Sequence, residues 1–244
     1  MGFQIDSINE LLWLNSRDVG FLLPESELLR WFDMMDAHWI CPSGPENPDP
    51  RFPHAELTSG KCSNGFFDVL KLLRYVNLSD IFASQMRMKV VSEYGESALE
   101  ADAAVGSPMA AVTFAHDFAR VAGIPISVFT EKDPKNSKEL IWNRDPMQEG
   151  TLFLQAEELI TTMGTTEKGR IAILAKNSGA IVSPLVVTIV YRPEDFNMDT
   201  GGRKICALIR QEIQVFEPSD CPYCKAGSIR YRPKSHWAEL NCRV

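Results

Sequence analysis

Two periodicities alternate along this chain. Between residues 1 and 40 apolar positions fall at helical spacing: Ile8, Leu11 and Leu12, then Leu28, Leu29, Trp31 and Phe32, with Pro24 and Ser26 opening the second group. A helix that buries one face shows this spacing, so two helices are predicted here, placed as a cap on a larger body. PSGPENPDPRFP (42–53) breaks both periods with proline and glycine and reads as a linker. HAELTSGKCSNGFF (54–67) mixes a short strand pattern with a Ser-Gly turn, and 67–92 returns to helical spacing. From residue 103 short apolar runs alternate with amphipathic ones. AAV (103–105) precedes SPMAAVTFAHDFARVAG, where Ser107 suits a helix cap, Pro108 the first helical position and Gly123 the close. Ala111, Phe114, Ala115, Phe118 and Ala119 share one face of that helix. PISVF is the next strand, TEKDPKNSKELIWNRDPMQEG a long polar loop with room for a hairpin, and TLFLQA a further strand. GRIAILAK and IVSPLVVTIVYR continue the alternation. Strands alternating with helices predict an α/β fold, a mostly parallel central sheet flanked by helices on both faces.

Composition narrows this picture. The 244 residues are 45% hydrophobic and 23% charged, which suits one large domain, or one domain with attachments, and excludes a disordered chain. The net charge of -7 removes a whole-chain basic footprint for nucleic acid. RKICALIR and SIRYRPKSHW remain as local basic and aromatic stretches, readable as a solvated rim, a subunit interface or an RNA-contacting tail. No apolar run is long enough to span a bilayer, and MGFQIDSINELLWL lacks the basic start of a secretory signal. Six scattered cysteines are too few to staple a fold of this size, so a reducing compartment, the cytoplasm, is expected.

The stretch richest in chemistry is EELITTMGTT (157–166). A loop after a parallel strand faces the crevice at the carboxyl edge of the sheet. A helix starting near Thr165 would add its free amides and positive dipole end to the same space. Gly164 permits a tight turn, and Thr161, Thr162, Thr165 and Thr166 supply hydroxyls without bulk, which suits a phosphate. Glu157 and Glu158 would repel phosphate but accept hydrogen bonds from sugar hydroxyls or help hold hydrated magnesium. A solvated acidic pair followed by an ordinary threonine cap is the alternative.

FLQAEELITTMGTT resembles the ribose-phosphate signature of type I phosphoribosyltransferases: an apolar strand, an acidic pair, two hydrophobic residues and a Thr/Gly-rich loop. LTSGKCSNGFF (57–67) is similar to the Ser-Gly-x-x-Ser-x-x-Phe-Phe segment of the orotate phosphoribosyltransferases within that family, and DCPYCKAGSIRYRPKS to their Cys-Pro-x-Cys-x-x-Gly tail. The resemblance implies the type I phosphoribosyltransferase fold with a small hood over 51–244, carrying the CPYC tail, and leaves 1–50 as an N-terminal helical extension. It implies Mg²⁺-dependent transfer of phosphoribosyl from phosphoribosyl pyrophosphate to a nucleobase, with orotate expected, and a homodimer. On it, Glu157 and Glu158 hold the ribose or Mg²⁺, and Thr161, Thr162, Met163, Gly164 and Thr165 the 5'-phosphate. Gly106, Ser107, Pro108, Met109 and Ala110 take the place of the pyrophosphate loop, Lys132 and Lys135 the mobile catalytic loop, and Lys61, Phe66 and Phe67 the base site, with Phe67 the stacking ring. Ala110 and Ala111 depart from the basic or glycine residues the family often has there, which keeps open a non-catalytic nucleotide-binding regulator of the same fold.

CPYC (221–224) reads as half of a zinc site or, as the resemblance implies, as a structural tail motif. Cys206, Cys242 and His236 are the expected partners of Cys221 and Cys224 for a structural Zn²⁺, although their spacing matches no standard pattern; a zinc-stabilised RNA-binding protein is a third reading. Trp31, Trp39 and Trp142 are expected in the core or an interface, and His54 and His116 at the surface or hydrogen-bonded, outside catalysis.

Overall fold

The computed structural model describes residues 3–242. The chain opens with α1 (Ile8–Trp13) and α2 (Glu25–Met34). Four short strands follow, β1 (His38–Ile40), β2 (His54–Glu56), β3 (Cys62–Ser63) and β4 (Gly65–Phe67), then α3 (Leu70–Leu73) and α4 (Val76–Tyr94). The body comprises β5 (Ala103–Gly106), α5 (Ala110–Ala122), β6 (Ile126–Phe129), the hairpin strands β7 (Glu131–Lys132) and β8 (Leu140–Ile141), β9 (Leu152–Ile160), α6 (Gly164–Lys176), β10 (Ile181–Tyr191) and β11 (Lys204–Arg210). The tail adds β12 (Val215–Phe216), α7 (Pro222–Lys225), β13 (Arg230–Tyr231) and α8 (Trp237–Leu240).

Five strands make one parallel sheet in the order β11-β10-β9-β5-β6. Because helices cover both faces, its strands are continuous apolar runs: β10 is buried from Leu185 to Tyr191 and β11 from Ile205 to Ile209. RKICALIR therefore forms an edge strand that is nonetheless buried along its length, with only Lys204 and Arg210 of β11 exposed. The chain leaves β5 through α5 toward β6 and leaves β9 through α6 toward β10, in opposite directions along the sheet. Right-handed crossovers then put α5 and α6 on opposite faces and open a crevice between the carboxyl ends of β5 and β9. This is the type I phosphoribosyltransferase fold, with extra N-terminal elements.

The sheet's helix starts differ from expectation at one point. Ser107 does not cap α5, which begins at Ala110 with Met109 in the cap position. The Ser107 hydroxyl is drawn inward instead and donates to Glu157 of β9. Gly106 allows this tight strand-to-helix passage, since a Cβ there would lie 2.7 Å from the Ala111 carbonyl oxygen. Gly123 closes α5 in the left-handed conformation, as its position suggested.

One cluster of buried side chains runs from Leu11, Trp31 and Phe32 of the N-terminal helices through Phe82 and Phe114 to Leu208 in β11. The N-terminal helices thus share the core of the body, and Glu25 accepts a hydrogen bond from the Arg210 amide at 2.7 Å. The 42–53 stretch contains neither helix nor strand, as its composition indicated. Trp31, Trp39 and Trp142 are all buried. A second sheet, ordered β12-β3-β2-β13, forms a hood above the carboxyl edge, with its own small cluster of Trp39, Cys41, Ala55, Cys62, Cys221, Tyr223 and Leu240. Among the described residues no helix is long and apolar enough to cross a membrane.

Candidate active site

At the carboxyl end of β9 the acidic pair enters the protein rather than solvent. Glu157 is 3% exposed and accepts the Ser107 hydroxyl, and Glu158 is half-buried. Burial raises the Glu157 carboxyl from its ordinary 4.5 to about 8; the charge of Glu158 adds to the rise, and the Ser107 bond opposes it. Burial raises Glu158 too. In the ligand-free protein near neutral pH, Glu157 is therefore a neutral carboxylic acid.

The strand ends at Ile160, and α6 starts at Gly164, so residues 161–163 make the turn. Met163 holds a left-handed backbone, φ 62°, while its side chain is buried with Ile160, Val186 and Tyr191; packing thus secures a conformation that non-glycine residues rarely adopt. Thr161 is half-buried, and Thr162, Gly164 and Thr165 are exposed, leaving hydroxyls and first-turn amides open to a ligand. The turn is bolted from behind. The buried Gln155 amide donates to the Thr166 carbonyl at 2.8 Å and accepts from Arg203 at 2.9 Å, and Arg203 pairs with Glu167 of α6 at 2.6 Å.

Beside the pair lies a cleft of about 370 Å³, walled by Thr58 and Ser59 of the hood, Phe66 of β4, Ala110 of α5, Glu158, Arg192 and Lys234. Arg192 follows β10, and its Nε is buried without a hydrogen-bond partner among the described residues. Burial also holds its guanidinium below the usual arginine range. An unmatched cation facing a cleft is costly unless a ligand anion completes it. Sequence reasoning passed over Arg192 because a single arginine after a strand has no motif; the strand's apolar run ending in YR was the only signal.

Several expected positions lie elsewhere or serve differently. Lys61 is exposed and pairs with Glu217 at 2.7 Å, and it does not line the cleft; Arg192 and Lys234 are the cations there. Phe67 lines the cleft but is 5% exposed, its ring 5.5 Å from Phe32 edge-on in the core, while the neighbouring Phe66 is half-buried and offers more of its ring. Lys132 and Lys135 sit exposed on the β7–β8 hairpin, which leans on α6 through Lys168 and Glu139 at 3.6 Å. In the 106–110 loop Gly106 and Ser107 are buried, the Pro108–Met109 peptide is cis, and Met109 is 84% exposed. His116 is exposed, and His54 is buried and hydrogen-bonded.

The metal expectation needs correction. Cys206 is buried in β11 within the body core and Cys242 is exposed near the end of the tail, so neither joins the CPYC pair; His236 bonds Ser235 at the surface. His54 and Cys62 take their place: with Cys221 and Cys224 their ligand atoms lie within 4.8 Å of one another, a group able to coordinate a metal ion. Their spacing escaped notice because the two halves are far apart in the chain and meet only when β13 pairs with β2.

No family model matches the chain. Orotate phosphoribosyltransferase of Caldicellulosiruptor bescii is 29% identical over 182 residues, covering 75% of this chain and 88% of that protein. The corresponding enzyme of Caldicellulosiruptor saccharolyticus is also 29% identical, over 187 residues, with the same coverage. The crystal structure of orotate phosphoribosyltransferase from Aeropyrum pernix shares the fold at TM-score 0.54 and 14% identity, over 75% of this chain and 93% of that one. Fold and matches together define an α/β protein built to open a crevice at the β5/β9 switch point. The chain shares the type I phosphoribosyltransferase fold, and the two relatives it resembles in sequence are orotate phosphoribosyltransferases.

Proposed function

We propose that this protein transfers the phosphoribosyl group of phosphoribosyl pyrophosphate to a nucleobase, orotate by preference, and releases diphosphate. The observation that carries this reading is the meeting, at one switch point, of an open threonine turn, a buried acidic pair and a cleft holding an unmatched arginine. The turn over Thr161–Thr165 binds the 5'-phosphate through hydroxyls and first-turn amides, spending remote binding energy to fix C1 of the ribose. Glu158 accepts from a ribose hydroxyl; Glu157, neutral near pH 7, can donate as well as accept. Phe66 lies along the planar base and Arg192 meets its carboxylate. A base nitrogen then forms the bond to C1 as the C1–O bond breaks. The bonding pair leaves with diphosphate, and the nitrogen's proton passes to solvent. Amides of the 106–110 loop, with Lys132 and Lys135 brought over by the hairpin, offset the charge on the departing oxygens.

Magnesium prefers oxygen ligands and keeps several waters, so one accessible carboxylate beside substrate phosphates suits it. Glu158 fits that demand, whereas Glu157 is engaged by Ser107 and uncharged. Bound there, the ion would supply counter-charge to the diphosphate.

A nucleotide-binding regulator is the second reading, favoured by the engaged Ser107 hydroxyl and the apolar Ala110 where the leaving group would sit. Incubating the protein with Mg²⁺, phosphoribosyl pyrophosphate and a panel of bases, and following diphosphate, separates the two. Orotate-dependent release is the expected result. Tight donor binding without release for any base supports the regulator, and absence of both overturns both.

A further inference from the structure

We propose that His54, Cys62, Cys221 and Cys224 bind a structural Zn²⁺ that clamps the tail onto the β2–β3 hairpin and so holds two walls of the cleft. Tetrahedral zinc, with bonds of about 2.3 Å to sulfur and 2.0–2.1 Å to nitrogen, sets its ligands about 3.8 Å apart for sulfur pairs and about 3.5 Å for sulfur and nitrogen. Cys62 and Cys224 Sγ are 3.6 Å apart, far beyond a disulfide bond, and Cys224 Sγ is 3.4 Å from His54 Nε2. Those two pairs match the spacing of a coordination shell, and all four ligand atoms lie within 4.8 Å of one another.

Hydrogen bonding around His54 fixes the form of the imidazole that metal needs. The Ser228 hydroxyl donates its one proton to the Phe52 carbonyl at 2.7 Å, so at 2.9 Å from His54 Nδ1 it can only accept. Nδ1 must therefore carry the ring proton, which leaves the Nε2 lone pair bare and aimed at the three thiols. The Tyr223 ring stacks on His54 with centroids 5.3 Å apart, and its hydroxyl donates to the Ser43 carbonyl at 2.8 Å, closing that side to water. Three thiolates, one neutral imidazole and Zn²⁺ sum to a charge of about -1, and Arg230 lies against Cys62 to offset it. All four protein positions are filled, so the ion has no place for substrate and acts by holding the fold.

What it holds follows from where the ligands sit. Cys62 closes the hairpin whose turn brings Thr58 and Ser59 to the cleft, and Cys221 and Cys224 begin the tail that brings Lys234 to it. The clamp does not depend on the transferase reading.

The test is metal content and metal spectroscopy on the full-length chain. Purified without chelator and dialysed, the protein is expected to carry about one zinc per chain. Stripped and titrated with Co²⁺, it should show tetrahedral d–d bands and thiolate-to-cobalt charge transfer. Cys224→Ser and His54→Gln should lose zinc, and Cys206→Ser and Cys242→Ser should keep it. Ser228→Ala retains every ligand and covers the case in which ligand variants fail to fold; it should bind zinc about 10–100-fold more weakly. Removing zinc should also open residues 54–67 and 221–235 to protease while the helical signal of the body persists. A wild-type protein that holds no zinc and gives no tetrahedral cobalt spectrum overturns the proposal. So does metal that survives Cys224→Ser but leaves with Cys206→Ser.

Discussion

In the parallel-sheet body one apolar cluster reaches from Leu11 in α1 through Phe82 in α4 and Phe114 in α5 to Leu208 in β11. In the hood seven buried residues do the same duty, and three of them are cysteines. The first region gathers enough buried surface to fold on hydrophobic energy; the second is the size at which chains turn to metals or disulfides. The difference matters because the site uses both. The body supplies the rigid acidic pair and the phosphate turn, and the hood supplies a cover of short strands that a few weak contacts could not hold in place.

The sharpest way to break this contrast is to injure the body core. Phe114 is fully buried, and Phe114→Ala should cost about 3–5 kcal/mol of global stability, read by urea unfolding. A cost under 1 kcal/mol would mean the body is not held by its core as described. Next comes the seam between the regions. Arg192→Gln should raise KM for the base by about 10–150-fold, the worth of one charge-assisted hydrogen bond of about 1.5–3 kcal/mol, while Lys61→Gln should leave it unchanged. Equal effects from the two would undo the assignment of Arg192. The smallest step, about 1.4 kcal/mol per pH unit, is the pH response of the acidic pair in ligand-free protein. The Glu157 carboxyl titrates near 8 when folded and near 4.5 otherwise. Its contribution to stability is whole below pH 4.5 and lost as pH rises toward 8, with a slope of about 1.4 kcal/mol per pH unit. Glu157→Gln should remove that slope, so the variant gains on wild type between pH 5 and 8; parallel stability curves would show that Glu157 is ionised.

The two regions also differed in how far they could be read in advance. The body declared itself by period: FAHDFARVAG gave a helix face and its glycine stop, and the strand before Glu157 was plain from TLFLQA. The acidic pair and threonine turn were legible because a local motif carries all their chemistry. Ser107 misled because its pattern suits a cap, and only the tertiary pull of Glu157 takes it elsewhere. The hood resisted for a physical reason. Its strands are two or three residues long, too short for any period, and its pairings join distant parts of the chain. Cys221 and Cys224 were visible as half a site, but nothing in the order of residues says that His54 and Cys62 complete it.

The His54–Ser228 contact spans 174 positions. At about 5–20 residues per second of synthesis, the hairpin bearing Cys62 waits about 10–35 s on the ribosome before its counterpart is made. During that interval the thiol has His54 on its own hairpin but neither tail cysteine, and is open to oxidants and stray metals, so the step most exposed to cellular stress is the last one, when the late segment folds back over an already finished body.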